Sequence, residues 1–578
     1  MMKRIIILLI ILMITLPAVA QKKQDTGLKR EITLYNPYKP SLPDVVKKSY
    51  LPDMTDTSKV KPDFKYDIKS YPFMPGYNIN PIKPATLLPD PLPKLYNSYI
   101  KFGLGNYVTP LAELSITNER SKKGAIGVYA RHFSTNGKVK LQNQENAFAG
   151  YMDNDASVFG RKFLKKSVFE SSLDFSQKTR YAYGYDTNSD TSLNEPLKED
   201  IRLNYYNTGA HARLLSSKLD SSHFAYDFDL GYSFFYSAFY STRNFYQHSV
   251  KFTGAMAKSF RGFYAGSGLE FDFYKPSDSV AVNSKYIFTL SPFIKKSTAE
   301  WNIKLGAQLL TDKGLSESAK LHVYPDLIFS FNIVPSYVSF FANLTGKLEK
   351  NEPLNVIGIN SFILPGKTLY DIPNTDYSLI VRAGFTGETG IDGNYQLSAS
   401  YSLVNDMLFF SNYIFKDSAV ILQRGNYFIP LSYQVEILNV HGEIGGKISD
   451  KLTFDAGSNY YSYTLTENNF APNKPNWDAT LGLKYNLRDK IIAGVEMNAI
   501  GRRRQLVTTE DVNPIIGPKT EGIEMPGHLN LNIAAEYRYT KILSFWLKFN
   551  NISFSKFNEW AYYPSQRFIC LVGFTYSL

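Results

Sequence analysis

The chain of 578 residues carries one cysteine, which removes disulfide scaffolds and multi-cysteine zinc or iron-sulfur sites from consideration. Long apolar runs are also missing. After the first twenty residues no stretch approaches the roughly eighteen consecutive apolar residues that a spanning helix needs, so a helical membrane bundle is excluded. No sequence motif repeats at a fixed period, which argues against propellers and solenoids. Charge is scarce at 20% of residues, and the profile is not that of a disordered or coiled-coil chain. Aromatic residues are abundant instead: 42 Tyr, 40 Phe and 4 Trp, together 15%. Lys+Arg outnumber Asp+Glu by 64 to 52, a formal net charge of +12. These basic residues are dispersed among turns (Lys122-Lys123, Lys165-Lys166, Lys295-Lys296), so no nucleic-acid partner is indicated.

The amino terminus addresses the chain for export. Lys3 and Arg4, the apolar stretch Ile5 to Leu16, and the small residues Ala18-Val19-Ala20 read as a signal peptide over residues 1–20. Residues 21–95 then hold twelve prolines, among them Pro37, Pro62, Pro81, Pro84, Pro89, Pro91 and Pro93. That density forbids a regular helix or central strand and favours extended conformations. Two readings stay open: a solvated linker, or a docking segment, since Tyr35, Tyr38, Tyr50, Phe64, Tyr66, Tyr71 and Phe73 are many large apolar groups for a solvating tail.

From residue 96 onward the hydrophobic pattern has period two. Trp477, Ala479, Leu481, Leu483, Tyr485 and Leu487 alternate with Asp478, Thr480, Gly482, Lys484 and Asn486. The same alternation runs through Leu529 to Arg538, Leu543 to Phe549 and Phe568 to Leu578. Successive side chains of a strand face opposite sides, so each segment meets an apolar environment on one face and a wet one on the other. Connections switch between short turns, such as Thr540-Lys541 and Phe163 to Ser167, and long loops, such as Glu349 to Asp376 and Gly501 to Gly527. That asymmetry predicts an all-β fold: a transmembrane antiparallel β-barrel of about 22 strands spanning residues 96–578, preceded by a proline-rich periplasmic or lumenal arm over 21–95. An even strand count puts both termini in the periplasm. Outer-membrane lipid and lipopolysaccharide are the partners this architecture implies.

Three stretches carry a family resemblance: Pro526-Gly527-His528-Leu529-Asn530-Leu531-Asn532 leading to Glu536-Tyr537-Arg538-Tyr539, then Leu547 to Ile552, then Trp560-Ala561-Tyr562-Tyr563-Pro564 leading to Gly573-Phe574-Thr575-Tyr576. The carboxyl-terminal part resembles the barrel of TonB-dependent receptors, plugged transporters of the outer membrane. The resemblance implies a 22-strand barrel and solute uptake or surface receptor activity. It also implies a globular plug of more than a hundred residues, for which the 75 residues of the arm leave no room. Something else should fill so wide a barrel: the arm, the long loops, or a periplasmic or plug partner protein. The alternative function is a non-transporting scaffold that anchors a multi-protein complex through barrel and arm.

Sites for chemistry are sparse. His132, His211, His223, His248, His322, His441 and His528 are scattered singly, with no pair at metal-ligand spacing and no catalytic constellation. No enzyme, metal or cofactor is expected, and the ligand-binding residues are unknown. Asp186, Asn188, Asp190, Ser192 and Asn194 are spaced like calcium ligands, but Thr191 and Leu197 stand where such a loop needs Gly and Glu, so a polar surface loop is expected. Asp153-Asn154-Asp155 reads as a strand boundary. Arg502-Arg503-Arg504 reads as a basic collar for lipopolysaccharide phosphates, or as an anion-capturing site.

Overall fold

The computed structural model describes residues 98–118, 121–185, 187, 197–217, 224–239, 243–281, 283–314, 318–390, 392–414, 426–466, 468–509 and 518–578. The expected signal peptide (1–20) and arm (21–95) lie outside the described residues, as does the candidate calcium loop apart from Thr187 and Leu197.

The main sheet has 24 strands. Two of them, Arg503–Thr509 and Lys519–Met525, form a hairpin described below, and the other twenty-two close into an antiparallel barrel. Closure joins the first strand, Ser98–Gly105, to the last, Ile569–Ser577, with Phe102 opposite Phe574 and Gly103 opposite Gly573. Ser98 N–H donates to the Leu578 carbonyl at 3.2 Å and Leu578 N–H to the Ser98 carbonyl at 2.8 Å, so both barrel ends meet at the short-turn rim. Closure leaves no unpaired edge, the condition for a sheet to stand in hydrocarbon. The seam needs glycine. A Cβ on Gly573 would run into the Phe102 carbonyl and the Trp546 ring, and one on Gly103 into the same indole.

The two faces of the wall differ as the alternation predicts. Ile100, Phe102 and Leu104 point outward, and the register carries that face around the barrel through Val128, Leu173, Leu230, Phe271, Leu305, Val381, Leu438, Leu481, Leu531 and Val572. Leu173 is 63% exposed, a cost to solubility in water and a fit to acyl chains. The inward face is a ladder of charges. Glu113, Arg131 and Asp155 stand directly opposite one another on three adjacent strands, each ion pair at 3.6 Å. Arg161–Glu170 at 2.8 Å, Arg213–Asp227 at 2.6 Å and Lys304–Asp326 at 2.5 Å continue it. Cross-strand pairs of opposite charge add a few tenths of a kcal/mol up to about 1 kcal/mol each and keep the lumen wet.

The Asp153-Asn154-Asp155 reading needs correction. These residues lie within the strand Tyr151–Phe163, not at its boundary. Asp153 and Asp155 face the lumen and pair with Arg180 (2.7 Å) and Arg131. Asn154 faces outward, bonded to His132 at 2.6 Å and Gln177 at 3.0 Å.

Candidate functional site: the closed mouth of the barrel

At the long-loop rim the chain folds inward and builds a lid. The strand Gly393–Ile414 pairs with Thr375–Thr389 only as far as Asn405, opposite Asp376. There a bulge interrupts its pairing with Tyr427–Ser449 between Val404 and Met407, and Asp406 adopts a left-handed φ of 51°. A bulge bends the strand that carries it. Beyond it, residues 407–414 and 427–433 continue as a hairpin, and the hairpin Arg503–Thr509/Lys519–Met525 adds to its open edge, with Ser411 to Ile414 parallel to Leu506 to Thr509. This second hairpin leaves the wall after Ile491–Ile500 and reaches Gly393–Ile414 across three intervening wall positions, Tyr427–Ser449, Leu452–Leu465 and Trp477–Leu487. It therefore spans part of the mouth.

A second layer comes from residues 350–374. Helix α1 (Pro353–Ile359) begins with proline, whose missing N–H costs nothing at a helix start. The helix buries Val356 and Ile357 completely, and the chain then turns through Asn360 and buries Ile363, Leu369 and Tyr370. Ile363 bridges Phe428, with Leu364 N–H donating to the Phe428 carbonyl at 2.9 Å. Leu203, Tyr205 and Phe235 of the wall, Leu408, Phe410, Tyr427 and Phe428 of the lid, and Trp560 and Tyr563 join these residues in one buried apolar cluster. Each fully buried large side chain contributes about 1.5–3 kcal/mol, so this layer is a packed core.

Polar contacts fasten the cluster. Tyr205 donates to the Ser361 carbonyl at 3.1 Å, Tyr370 and Ser237 share a hydrogen bond at 3.0 Å, and Tyr183 donates to the Pro564 carbonyl at 2.9 Å. Tyr563 donates to the Asn426 carbonyl, and Asn426 in turn to the Ala182 carbonyl at 2.9 Å. Burial pushes the Tyr183, Tyr370 and Tyr563 hydroxyls well above their ordinary pKa, so each stays protonated and able to donate.

Two sets of ionic groups latch residues 350–374 to the wall. Glu352 accepts from Lys251 at 2.5 Å and from the Tyr274 hydroxyl at 2.8 Å, while Lys350 sits against Glu270 and the fully buried Asp272. Burial disfavours the Lys350 ammonium, but the two carboxylates outweigh it and hold its pKa above the usual lysine range. On the other side Asn374 donates to Asp312 at 3.2 Å; just beyond it, within the wall itself, Asp376 accepts from Tyr324 at 2.8 Å and Asn405 at 3.1 Å, with His322 at 3.5 Å.

The candidate residues singled out in the sequence divide around this structure. His322 lies within the wall, 3.5 Å from Asp376 and stacked on Tyr324. His132 and His248 face outward, the latter 2.8 Å from the Tyr232 hydroxyl. His211 faces Asp229 at 3.8 Å, His441 lies 2.9 Å from Asn459, and His528 stacks on Phe557. His223 lies outside the described residues. Among the described residues no three His, Cys, Asp or Glu side chains are arranged to hold a metal. The collar reading of Arg502 to Arg504 fails at its centre. Arg503 is buried and donates to the Asn558 and Glu559 carbonyls at 2.7 and 3.1 Å, and Arg504 lies over the Phe470 ring. The Arg503 guanidinium braces the mouth, while Arg502 and Arg504 on either side of it are exposed.

A closed 22-strand barrel with loops folded inward across its mouth defines an outer-membrane-type barrel. Solved structures share this fold. The pyoverdine outer membrane receptor FpvA of Pseudomonas aeruginosa is 11% identical, with a TM-score of 0.60 over 84% of this chain and 78% of that one. The siderophore receptor PirA of Acinetobacter baumannii is 9% identical, with a TM-score of 0.62 over 84% and 81%. The copper transporter OprC is 10% identical, with a TM-score of 0.60 over 84% and 80%. No protein-family model and no curated protein matches the chain in sequence.

Proposed function

We propose that the chain is a gated outer-membrane barrel that takes up, or acts as surface receptor for, a solute. The observation that carries this reading is the lid: its apolar core closes the mouth, yet it is held to the wall by ion pairs and hydrogen bonds that a ligand or partner can displace. A scaffold would have no need of a latch with separable halves. The resemblance of the carboxyl-terminal strands to TonB-dependent receptors, and the barrel fold shared with siderophore and copper receptors, support the same reading. In it, residues 1–20 are removed on export, residues 21–95 are a periplasmic or lumenal arm, and both barrel ends lie on the periplasmic side. The lid faces outward, and no enzymatic step is assigned.

The test is transport. Liposomes containing the full chain should not swell in isotonic arabinose, and cells lacking it should deplete one class of solute from a mixed medium more slowly than cells carrying it. Swelling of the unmodified protein would replace the gated reading with an open pore. Unchanged depletion would favour the scaffold.

A further inference from the structure

A small pocket of about 140 Å³ lies at the rim of the lid, beside Ile359 at the end of α1. The closure described above leaves it unfilled. Its walls include Leu408 and Phe410 of the lid strand, Trp560, and Asn473 and Lys474 from the connection between Leu452–Leu465 and Trp477–Leu487.

The backbone of that wall is an open strand edge. Gly393–Ile414 loses its neighbour at Asn405 and gains the second hairpin only at Ser411, so, among the described residues, 407–410 have no strand neighbour on that side. Pro430, opposite Phe410, has no N–H to give. In an antiparallel pair the backbone groups of alternate residues point toward or away from the partner strand. Phe410, facing Pro430, points its groups away, and the Gln505 amide reaches its carbonyl at 2.6 Å from that open side. Leu408, two residues earlier, shares that orientation and aims its N–H and C=O at the pocket.

The side chains add charge and an acceptor. Among the described residues no acid lies within ion-pair distance of Lys474. Asn473 is held in a left-handed conformation (φ 56°) by its N–H bond to the Arg504 carbonyl at 2.7 Å, and its side-chain oxygen is buried without a donor. A strand edge, an ammonium that Glu349 reaches only from beyond ion-pair distance, a waiting acceptor and an indole wall together match an extended amide chain that ends in a carboxylate.

We propose that this pocket binds the carboxylate-terminated end of a peptide-like ligand. The carboxylate lies on Lys474 Nζ, the last amide exchanges hydrogen bonds with Leu408, and an apolar side chain rests on Trp560. The assignment deepens the receptor reading and rests on it.

The probe is N-acetyl-trialanine with a free carboxylate, compared with its C-terminal amide, titrated calorimetrically into the full chain in lipid nanodiscs. The acid should bind at least about tenfold more tightly than the amide, the usual margin for a charge-assisted contact. Lys474→Met should abolish that difference and Lys474→Arg retain most of it, with heat-modifiable gel migration confirming that each variant is folded. Equal binding of acid and amide, no binding of either, or an unchanged preference in Lys474→Met would overturn the proposal. Competition by acetate as strong as by the peptide would also overturn it, because the strand edge would then contribute nothing. Failure of the receptor reading is seen separately, as swelling of liposomes carrying the unmodified chain.

Discussion

The wall and the lid are built from the same strands by different rules. In the wall, Gly393–Ile414 alternates: Leu397, Ala399 and Tyr401 face out, and Gln396, Ser398 and Ser400 face in. Past the bulge at Asp406 the same strand reads Met407-Leu408-Phe409-Phe410 and is apolar on both faces. It has left the boundary between lipid and water and entered a core, with Leu408 and Phe410 in one buried cluster and Met407 and Phe409 in another. Alternation belongs to a sheet between two solvents, and continuous apolarity to one buried on both sides. The wall is thus a ring of strands closed by hydrogen bonds, whereas the lid is a layer packed inside that ring.

Substitutions should separate the two regions. The largest effect is expected at the seam: Gly573→Val pushes a side chain into the Phe102 carbonyl and Trp546, and backbone cannot yield as a side chain can. The barrel should fail to close, seen as loss of heat-modifiable migration. A folded Gly573→Val barrel would mean that the seam is looser than its register. Next comes excision of residues 350–374 with a short turn in their place. The ring should persist, because no wall strand is touched, and liposomes carrying the variant should swell where the intact chain does not. If excision unfolds the barrel, the lid is part of the fold and not a separable layer.

Alkaline pH probes the lid alone. Tyr183, Tyr370 and Tyr563 have pKa values raised by burial, while the same hydroxyls in a displaced lid ionise near pH 10. Closure is therefore fully favoured below about pH 10 and loses up to about 1.4 kcal/mol per pH unit per tyrosine above it. Conductance in planar bilayers should rise reversibly between pH 10 and 11, with circular dichroism of the wall unchanged. A flat profile would show that these hydroxyls are not what the closed lid shelters.

The difference between the regions also explains what could be read from the sequence. Twenty-two strands, the alternation of short turns with long loops and a barrel that begins near residue 96 follow from period two and turn length, because lipid on one side and water on the other impose that pattern residue by residue. The lid imposes no period. Residues 350–374 read only as one of the long loops, which as a group were candidates to fill the barrel, and nothing singled this one out except that Val356, Ile357, Ile359, Phe362, Ile363 and Leu364 are too apolar for a solvated loop. That excess, with the lapse of alternation at Met407, was the available signal. Arg503 misled for a related reason: three consecutive arginines suggest an exposed patch, but one strand position in two faces inward, and this one met backbone carbonyls. Asp153 and Asp155 look like boundary residues until their partners Arg180 and Arg131 arrive from neighbouring strands.

The smallest predicted effect tests whether the latch or the apolar core holds the lid. Glu352→Gln keeps the shape of the side chain and its hydrogen bond from Tyr274 but removes the charge that faces Lys251. Charged hydrogen bonds of this kind contribute about 1.5–3 kcal/mol, and Lys251, whose side chain is 39% exposed to the lumen, places this one at the low end. The open fraction should rise about tenfold, far below the effect of excision, and the difference between variant and parent should shrink in 1 M salt, which screens the parent's pair. Lys251→Met should match it, and the double variant should be no worse than either single one, since both remove the same interaction. Additive effects would mean that Glu352 and Lys251 act on separate parts of the lid, and an effect independent of salt would assign the closure to packing around Val356 and Ile357 alone.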